Sequence, residues 1–293
     1  METGVNDARR EGRPTRPGRV GAPRAGAEVA DLFRGRELVD LTLTIAEDLP
    51  CWWPTHQPFQ HKIWNWYADV PAGPLVLRSR SGPYQTRWMA IDEHTGTHFD
   101  APAHFIPREG TGLPNAGPAG EITGDRVPVE QLMGPARVID CRRVVGAAEP
   151  GVSPEITADQ VRRWEGRYGE IRPGEVVLFW TGWDRFYRPG PEGGPYVEDV
   201  LVRRTHPGWP APGPDAVEHL LRRGVRCLGT DGPSLGAAHD GAPVHVLGLS
   251  RGMVFVEGLT GLGGLPASGA WFAFLPVKVR DSTGGTGRAI AVR

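Results

Sequence analysis

From Leu38 to Ile45 the chain reads LVDLTLTI, apolar and polar residues alternating at the period of two that a half-buried strand requires. Similar short runs predict strands at Leu75 to Arg80, Gln85 to Ile91, Ala136 to Asp140, Glu175 to Thr181, Val225 to Thr230, Met253 to Glu257, Trp271 to Leu275 and Ala289 to Val292. Helical periodicity is scarcer. Thr157 to about Tyr168 opens with the Thr-x-x-Gln pattern of a capping box, and Asp215 to Arg223 carries Val217, Leu220 and Leu221 on one face. Many strands interrupted by a few helices imply a β-rich α+β architecture. With 41 Gly and 29 Pro, long structured loops are expected between the elements. Ordered sequence is expected from about residue 31 to 293 as one domain. Residues 1–30, rich in Arg, Gly and Pro, read as a disordered arm.

Composition narrows the function classes. The 33 Lys and Arg balance 34 Asp and Glu, and no dense basic stripe is present, so a nucleic-acid partner is not expected. No apolar run approaches the roughly 20 residues that span a bilayer. The three cysteines, Cys51, Cys141 and Cys227, have no Cys-x-x-Cys spacing, which argues against a disulfide framework or a thiolate zinc site and fits a reducing cytoplasm. No Gly-x-Ser-x-Gly elbow occurs, and no cysteine adjoins a histidine, so a serine or thiol nucleophile has no support. Gly284-Gly285-Thr286-Gly287 lacks the Lys-Ser/Thr of a phosphate loop and reads as a turn.

The chemistry concentrates in EHTGTHFDAPAHF, Glu93 to Phe105, which holds His94, His98, Asp100 and His104 of a chain with only nine histidines. Gly96 between two threonines, followed by Pro102, opposes a helix there. In a straight strand His94 and His98 would lie about 13 Å apart, whereas two donors to one zinc-sized ion approach within roughly 4 Å. The chain must therefore fold back at Gly96. His98 and Asp100 fall on one face of the strand that follows. Further ligands must come from a distant segment, and His245 and Glu257 are the candidates. Glu257 ends an apolar strand, where an unpaired carboxylate is costly to desolvate; a cation, an arginine or solvent exposure would each relieve it. His104, set apart by Pro102, is either a further ligand or the proton carrier beside the ion. Imidazoles and carboxylates without thiolate suit zinc or manganese better than calcium.

Other aromatic and histidine residues are secondary. Trp52, Trp53, Trp64, Trp66 and Tyr67 are either core or the wall of a pocket. His56 and His61 flank this region and are positioned to line the same pocket. His206, His219 and His239 read as surface or loop residues.

The segment HTGTHFDAPAH, His94 to His104, is similar to the His-x-Gly-Thr-His-x-Asp-x-Pro-x-His signature of the metal-dependent cyclase-like amidohydrolases. That family includes bacterial kynurenine formamidase and isatin hydrolase. The likeness extends through Trp53-Pro54, Gly134-Pro135, Thr181-Gly182-Trp183, His245 and Glu257. It implies a swivelling β/β/α fold and a homodimer or homotetramer. It also implies one or two Zn²⁺ or Mn²⁺ ions held by His94, His98, Asp100, His245 and Glu257, with His104 transferring protons. The reaction it implies is hydrolysis of a C–N bond in a small aromatic cyclic amide or aryl formamide by metal-activated water, with Trp52, Trp53 and Phe105 holding the ring. The longer chain and the stretch from Trp53 to Pro74 look closer to the isatin-hydrolase branch. Two rival readings remain open: a metal-dependent cyclase or dehydratase of secondary-metabolite assembly, and a non-catalytic metabolite-binding protein.

Overall fold

Val176-Val-Leu-Phe-Trp180 has no polar residue, and Val176 to Phe179 are all buried. A strand of that kind needs cover on both faces, as parallel strands in α/β layers have. The fold is that of a computed structural model, which describes residues 33–293; the arm expected over residues 1–30 lies outside them. By its contacts the chain divides into Met1–Arg36 and Glu37–Arg293, and the second unit carries the elements that follow. Its strands are β1 (Leu38–Asp40), β2 (Gln60–Asn65), β3 (Val70–Ala72), β4 (Leu75–Leu77), β5 (Thr86–Ala90), β6 (His98–Asp100), β7 (Met133–Asp140), β8 (Glu155–Ile156), β9 (Val176–Trp180), β10 (Ala211–Pro212), β11 (Cys227–Thr230), β12 (Val254–Glu257), β13 (Ser268–Pro276) and β14 (Gly284–Val292).

The main sheet runs β1-β14-β13-β7-β9-β11-β12-β6, and β6 pairs again with β14, closing seven strands into a barrel-like ring. The pairs β7–β9, β9–β11 and β11–β12 are parallel, and the remaining pairs of the ring are antiparallel. Each parallel step is bridged by a helix: Ala158–Tyr168, Pro214–Arg222 and Ala242–Ser250 in turn. The result is the expected β-rich β/β/α fold.

Alternation along each strand separates two cores. Val176 and Leu178, Val254 and Val256, and Phe99 point into the ring with Phe272 and Phe274. Val177, Phe179 and Phe255 point outward under the three helices, against Val161, Leu220 and Leu249. Since successive side chains of a strand take opposite faces, His98 and Asp100 lie opposite to Phe99, and Glu257 shares the outer face of Phe255. The chemistry-bearing residues are thereby turned toward the helix Ala242–Ser250.

Several expectations change at their edges. The strand expected over Leu38 to Ile45 ends at Asp40, because the Thr42 hydroxyl takes over the ladder, donating to the Ala289 carbonyl and accepting from the Ala289 N–H. The strand at Leu75 stops at Leu77, where the Asn65 carboxamide oxygen collects the N–H groups of Arg80 and Ser81. Gly284 to Gly287, read as a turn, is the first half of β14. Glycine is needed there for close approach rather than for bending: a Cβ on Gly284 would strike the Phe99 carbonyl, and one on Gly287 would lie 2.5 Å from the Leu275 carbonyl. His219, expected at the surface, is buried on helix Pro214–Arg222 and bonds Glu165 at 2.8 Å. The capping box of Thr157 and Gln160 is formed.

Candidate metal centre

The chain folds back where the spacing required. Gly96 has φ of +64°, its N–H donates to the Cys51 carbonyl, and a Cβ there would sit 2.8 Å from Ile45 Cγ1. β6 follows at once and pairs with β12 so that Asp100 faces Phe255 and His98 faces Glu257. Helix Ala242–Ser250 lies over this corner and contributes His245. Proline in its first turn, Pro243, is the start signal available in the sequence; Gly241 and Gly248 obscured the helix.

Five residues of the expected set converge. His98 Nε2 is 3.5 Å from Glu257 Oε2 and 3.7 Å from Asp100 Oδ1. His245 Nε2 is 3.2 Å from Asp100 Oδ2 and 3.4 Å from Glu257 Oε1. His94 Nδ1 is 2.9 Å from Asp100 Oδ1. Two sets of donor atoms, His98/Asp100/Glu257 and His94/Asp100/His104, each lie within 4.8 Å of one another and share Asp100. His104 ends the short turn Pro102–His104, and its ring stacks on His94 with centroids 3.9 Å apart.

The outer nitrogens decide which inner ones carry protons. His98 Nδ1 lies 2.9 Å from the Gly96 carbonyl and His245 Nδ1 2.7 Å from that of Gly241. A carbonyl only accepts, so both Nδ1 atoms donate and, in the neutral rings, both Nε2 atoms present lone pairs to the carboxylates. Asp100 Oδ2, fully buried, accepts no hydrogen bond. Glu257 Oε1 takes the Leu235 N–H at 2.7 Å and the Ser234 hydroxyl at 3.3 Å, so that carboxylate is oriented from behind. With the rings neutral, acceptors would face acceptors across a buried basin, so the arrangement is one that positive charge stabilises, whether a proton or a cation supplies it.

The ionisation equilibria point the same way. Although burial opposes it, the carboxylates of Glu257 and Asp100 hold His98 above its usual range, and those of Asp100 and Glu257 push His245 up to about 10. Burial works against ionised Asp100, yet the surrounding imidazoles hold it well below the usual carboxylate range. His104 differs: burial outweighs the pull of Asp100 and brings it down to about 4, so it is neutral at pH 7 with a lone pair to offer. The donor set fits a divalent cation: imidazole nitrogens and carboxylate oxygens, each ring fixed by its second nitrogen, with no thiolate present.

A cavity of about 250 Å³ opens onto the basin. Trp53 and Phe105 line it with Pro233 and Ala238; Phe105 stacks on His245 at 4.3 Å. Trp52 lines a narrower crevice alongside, with Trp53, His94 and His98. Trp64, Trp66 and Tyr67 are not among the lining residues of either; Trp64 lies on the outlying β2–β5 ribbon. His56 lines the main cavity and bonds Asp92 at 3.2 Å, whereas His61 does not reach it. His206 and His239 also lie outside it. Asp92, Ser234, Thr283 and Asp231 escaped the sequence reading. Asp231, pushed up to about 7 by burial, accepts from Thr181 and Gly182 and anchors the loop that carries Pro233 and Ser234 to the cavity.

The Cyclase family model matches residues 39–237, more than half of the chain. Over 238 residues the chain is 38% identical to isatin hydrolase of Roseibium aggregatum, an alignment covering 79% of this chain and 80% of the relative. Kynurenine formamidase of Salinibacter ruber is 27% identical over 254 residues, 86% of this chain and 96% of the relative. A crystal structure of an isatin hydrolase bound to the product analogue thioisatinate matches with a TM-score of 0.72 at 28% identity, covering 92% of this chain and 97% of that one.

Proposed function

Because the chain belongs to the Cyclase family, we propose that its basin of facing lone pairs and carboxylates serves hydrolysis of a C–N bond in a small aromatic cyclic amide or aryl formamide. The protein is a hydrolase, as the relatives named above are. The observation that carries the metal reading is the convergence of two Nε2 atoms, those of His98 and His245, on the buried carboxylates of Asp100 and Glu257, with each Nδ1 taken by a backbone carbonyl. His94, His98, Asp100, His245 and Glu257 are the proposed ligands. Zn²⁺ or Mn²⁺ is the proposed ion, in one or two copies. A bound divalent ion polarises a carbonyl oxygen and lowers the pKa of water to about 7. His104, neutral and beside the basin, takes the proton from the attacking water and passes it to the nitrogen that leaves. Trp53 and Phe105 hold the aromatic ring on the apolar wall, with Trp52 behind them.

The test is a rate measurement on isatin, N-formylkynurenine and related lactams, with metal content read in parallel. Turnover of at least one of them is expected, lost on dialysis against a chelator and restored by Zn²⁺ or Mn²⁺. Metal retained without turnover of any amide or ester would favour the cyclase, dehydratase or binding-protein alternatives.

A homodimer or homotetramer is proposed on the apolar exposure of the outlying ribbons, where Leu75 is 71% and Trp64 55% exposed beside Trp88 and Met89. Light scattering is expected to read two or four times the 31.8 kDa chain mass, and a value of one chain would overturn the proposal. The three unpaired, buried cysteines support a reducing, cytoplasmic location, to be checked by fractionation. No helix of the described residues is long and apolar enough to cross a membrane.

A further inference from the structure

His94 differs from the other two imidazoles in what holds its outer nitrogen. Its Nε2 lies 3.2 Å from the Thr283 hydroxyl, not against a carbonyl. A hydroxyl both donates and accepts, so the proton on His94 is decided one step further out. The Thr283 hydroxyl donates to Glu93 Oε2 at 2.8 Å, and the same oxygen accepts the Thr283 N–H at 2.7 Å. With its single hydrogen committed to a carboxylate, the hydroxyl has only lone pairs to turn toward His94. The ring must then donate through Nε2. Its Nδ1 then faces Asp100 Oδ1 at 2.9 Å, on the same side as the other inward nitrogens, where an ion between the two would meet a lone pair from each.

Two further features fix this arrangement. Thr283 is the residue before β14, and Gly284 lies so close beneath the ring that a Cβ would meet His94 Cε1 at 2.7 Å and Nδ1 at 3.2 Å. The ring thus packs by its Cε1 and Nδ1 atoms against bare backbone. His104 stacks on it. The Thr283 carbonyl accepts from the Ala101 N–H at 2.9 Å, tying the threonine to the residue that follows Asp100. The glycine-rich stretch, which reads as a mere turn in sequence, delivers Thr283 to its place.

We infer that Glu93 and Thr283 are positioning residues that lock His94 in the Nε2–H tautomer, making Nδ1 its ion-facing atom. This rests on the metal reading for its purpose, though not for its geometry. Groups that bond the far nitrogen of a ligating imidazole typically change metal affinity by about 10- to 100-fold when removed. Thr283→Val keeps the shape and removes the acceptor. Thr283→Ser keeps the hydroxyl. Glu93→Ala frees the hydroxyl hydrogen to turn toward the ring.

The experiment has two readouts on the full-length protein. Nitrogen-15 correlation spectra of histidine-labelled protein supplied with Zn²⁺ report which nitrogen of His94 carries the proton. Competition with a chelator gives the Kd for Zn²⁺ and Mn²⁺. Expected are an Nε2–H tautomer in the parent and the serine variant, a tautomer mixture in Thr283→Val and Glu93→Ala, and a Kd raised about 10- to 100-fold in the valine variant with serine within a few-fold of the parent. An Nδ1–H tautomer in the parent, or a valine variant matching the parent in Kd, would overturn the inference. A parent that takes up no metal yet shows the Nε2–H tautomer, lost in the valine variant, would refute the metal reading while supporting the lock.

Discussion

Asp100→Asn is expected to abolish binding of the proposed ion and to lower kcat/KM by about a thousandfold or more, because several kcal/mol of transition-state stabilisation would go with that ion. The expectation follows from the position of this carboxylate. Asp100 belongs to both donor sets; its Oδ1 meets His94 and His98, and its Oδ2 meets His245 without a hydrogen bond. The asparagine amide is nearly the same size, so packing beside Phe255 and Phe99 survives while one negative charge and one oxygen donor are lost. Metal content of the purified variant and its melting temperature together separate the effects. Normal metal content with full activity would remove Asp100 from the proposed ligand set. A collapse of the melting temperature beyond what metal removal causes in the parent would assign it to folding instead.

His104→Ala gives the complementary result: metal content unchanged, KM little altered, kcat lowered by about 10²- to 10⁴-fold, the usual worth of a positioned proton-transfer group. His104 lies beside the basin on the ring of His94 and packs edge-on against Phe105. None of the carboxylate contacts that gather His98 and His245 includes it. Removing it therefore spares the proposed ligand cage. Because its donor atom still falls within 4.8 Å of His94 and Asp100, a variant that loses metal along with activity would make His104 a ligand and leave the proton carrier to be sought elsewhere, with His56 the next imidazole on the cavity wall.

The legible parts of this protein are those governed by short-range rules. His98 and Asp100 share a strand face by period alone, and Gly96 had to turn because His94 could not otherwise reach them. Glu257 stands out as a carboxylate at the end of an apolar strand; it is buried rather than solvent-exposed, and the groups opposite it are the imidazoles of His98 and His245, not an arginine. Trp53 and Phe105, which the resemblance puts on the apolar wall, line the cavity; the residues alone leave Trp53 undivided from Trp64, Trp66 and Tyr67, which lie elsewhere, since nothing local tells a pocket wall from an outlying ribbon. The misreadings arise from contacts between distant segments. Glycines 284 to 287 have the composition of a turn, but the proximity of Phe99 and Leu275 makes them a strand. His219 was assigned to the surface because its partner, Glu165, sits on a different helix. Thr283 carries no motif, Glu93 opens the histidine-rich stretch without being marked for any role in it, and 190 residues separate the two along the chain.

That separation bears on how the protein comes into being. β14 shuts the ring against β6 and supplies backbone beside the His94 imidazole, so the basin borrows a wall from a segment that leaves the ribosome after every proposed ligand. A nascent chain that has emerged only as far as β13 already holds each proposed ligand, but it has an open seam and lacks the Thr283 hydroxyl and Gly284 backbone beside the His94 ring. Closing a loop of this span is a slow step for a polypeptide, and maturation of the cage is tied to it.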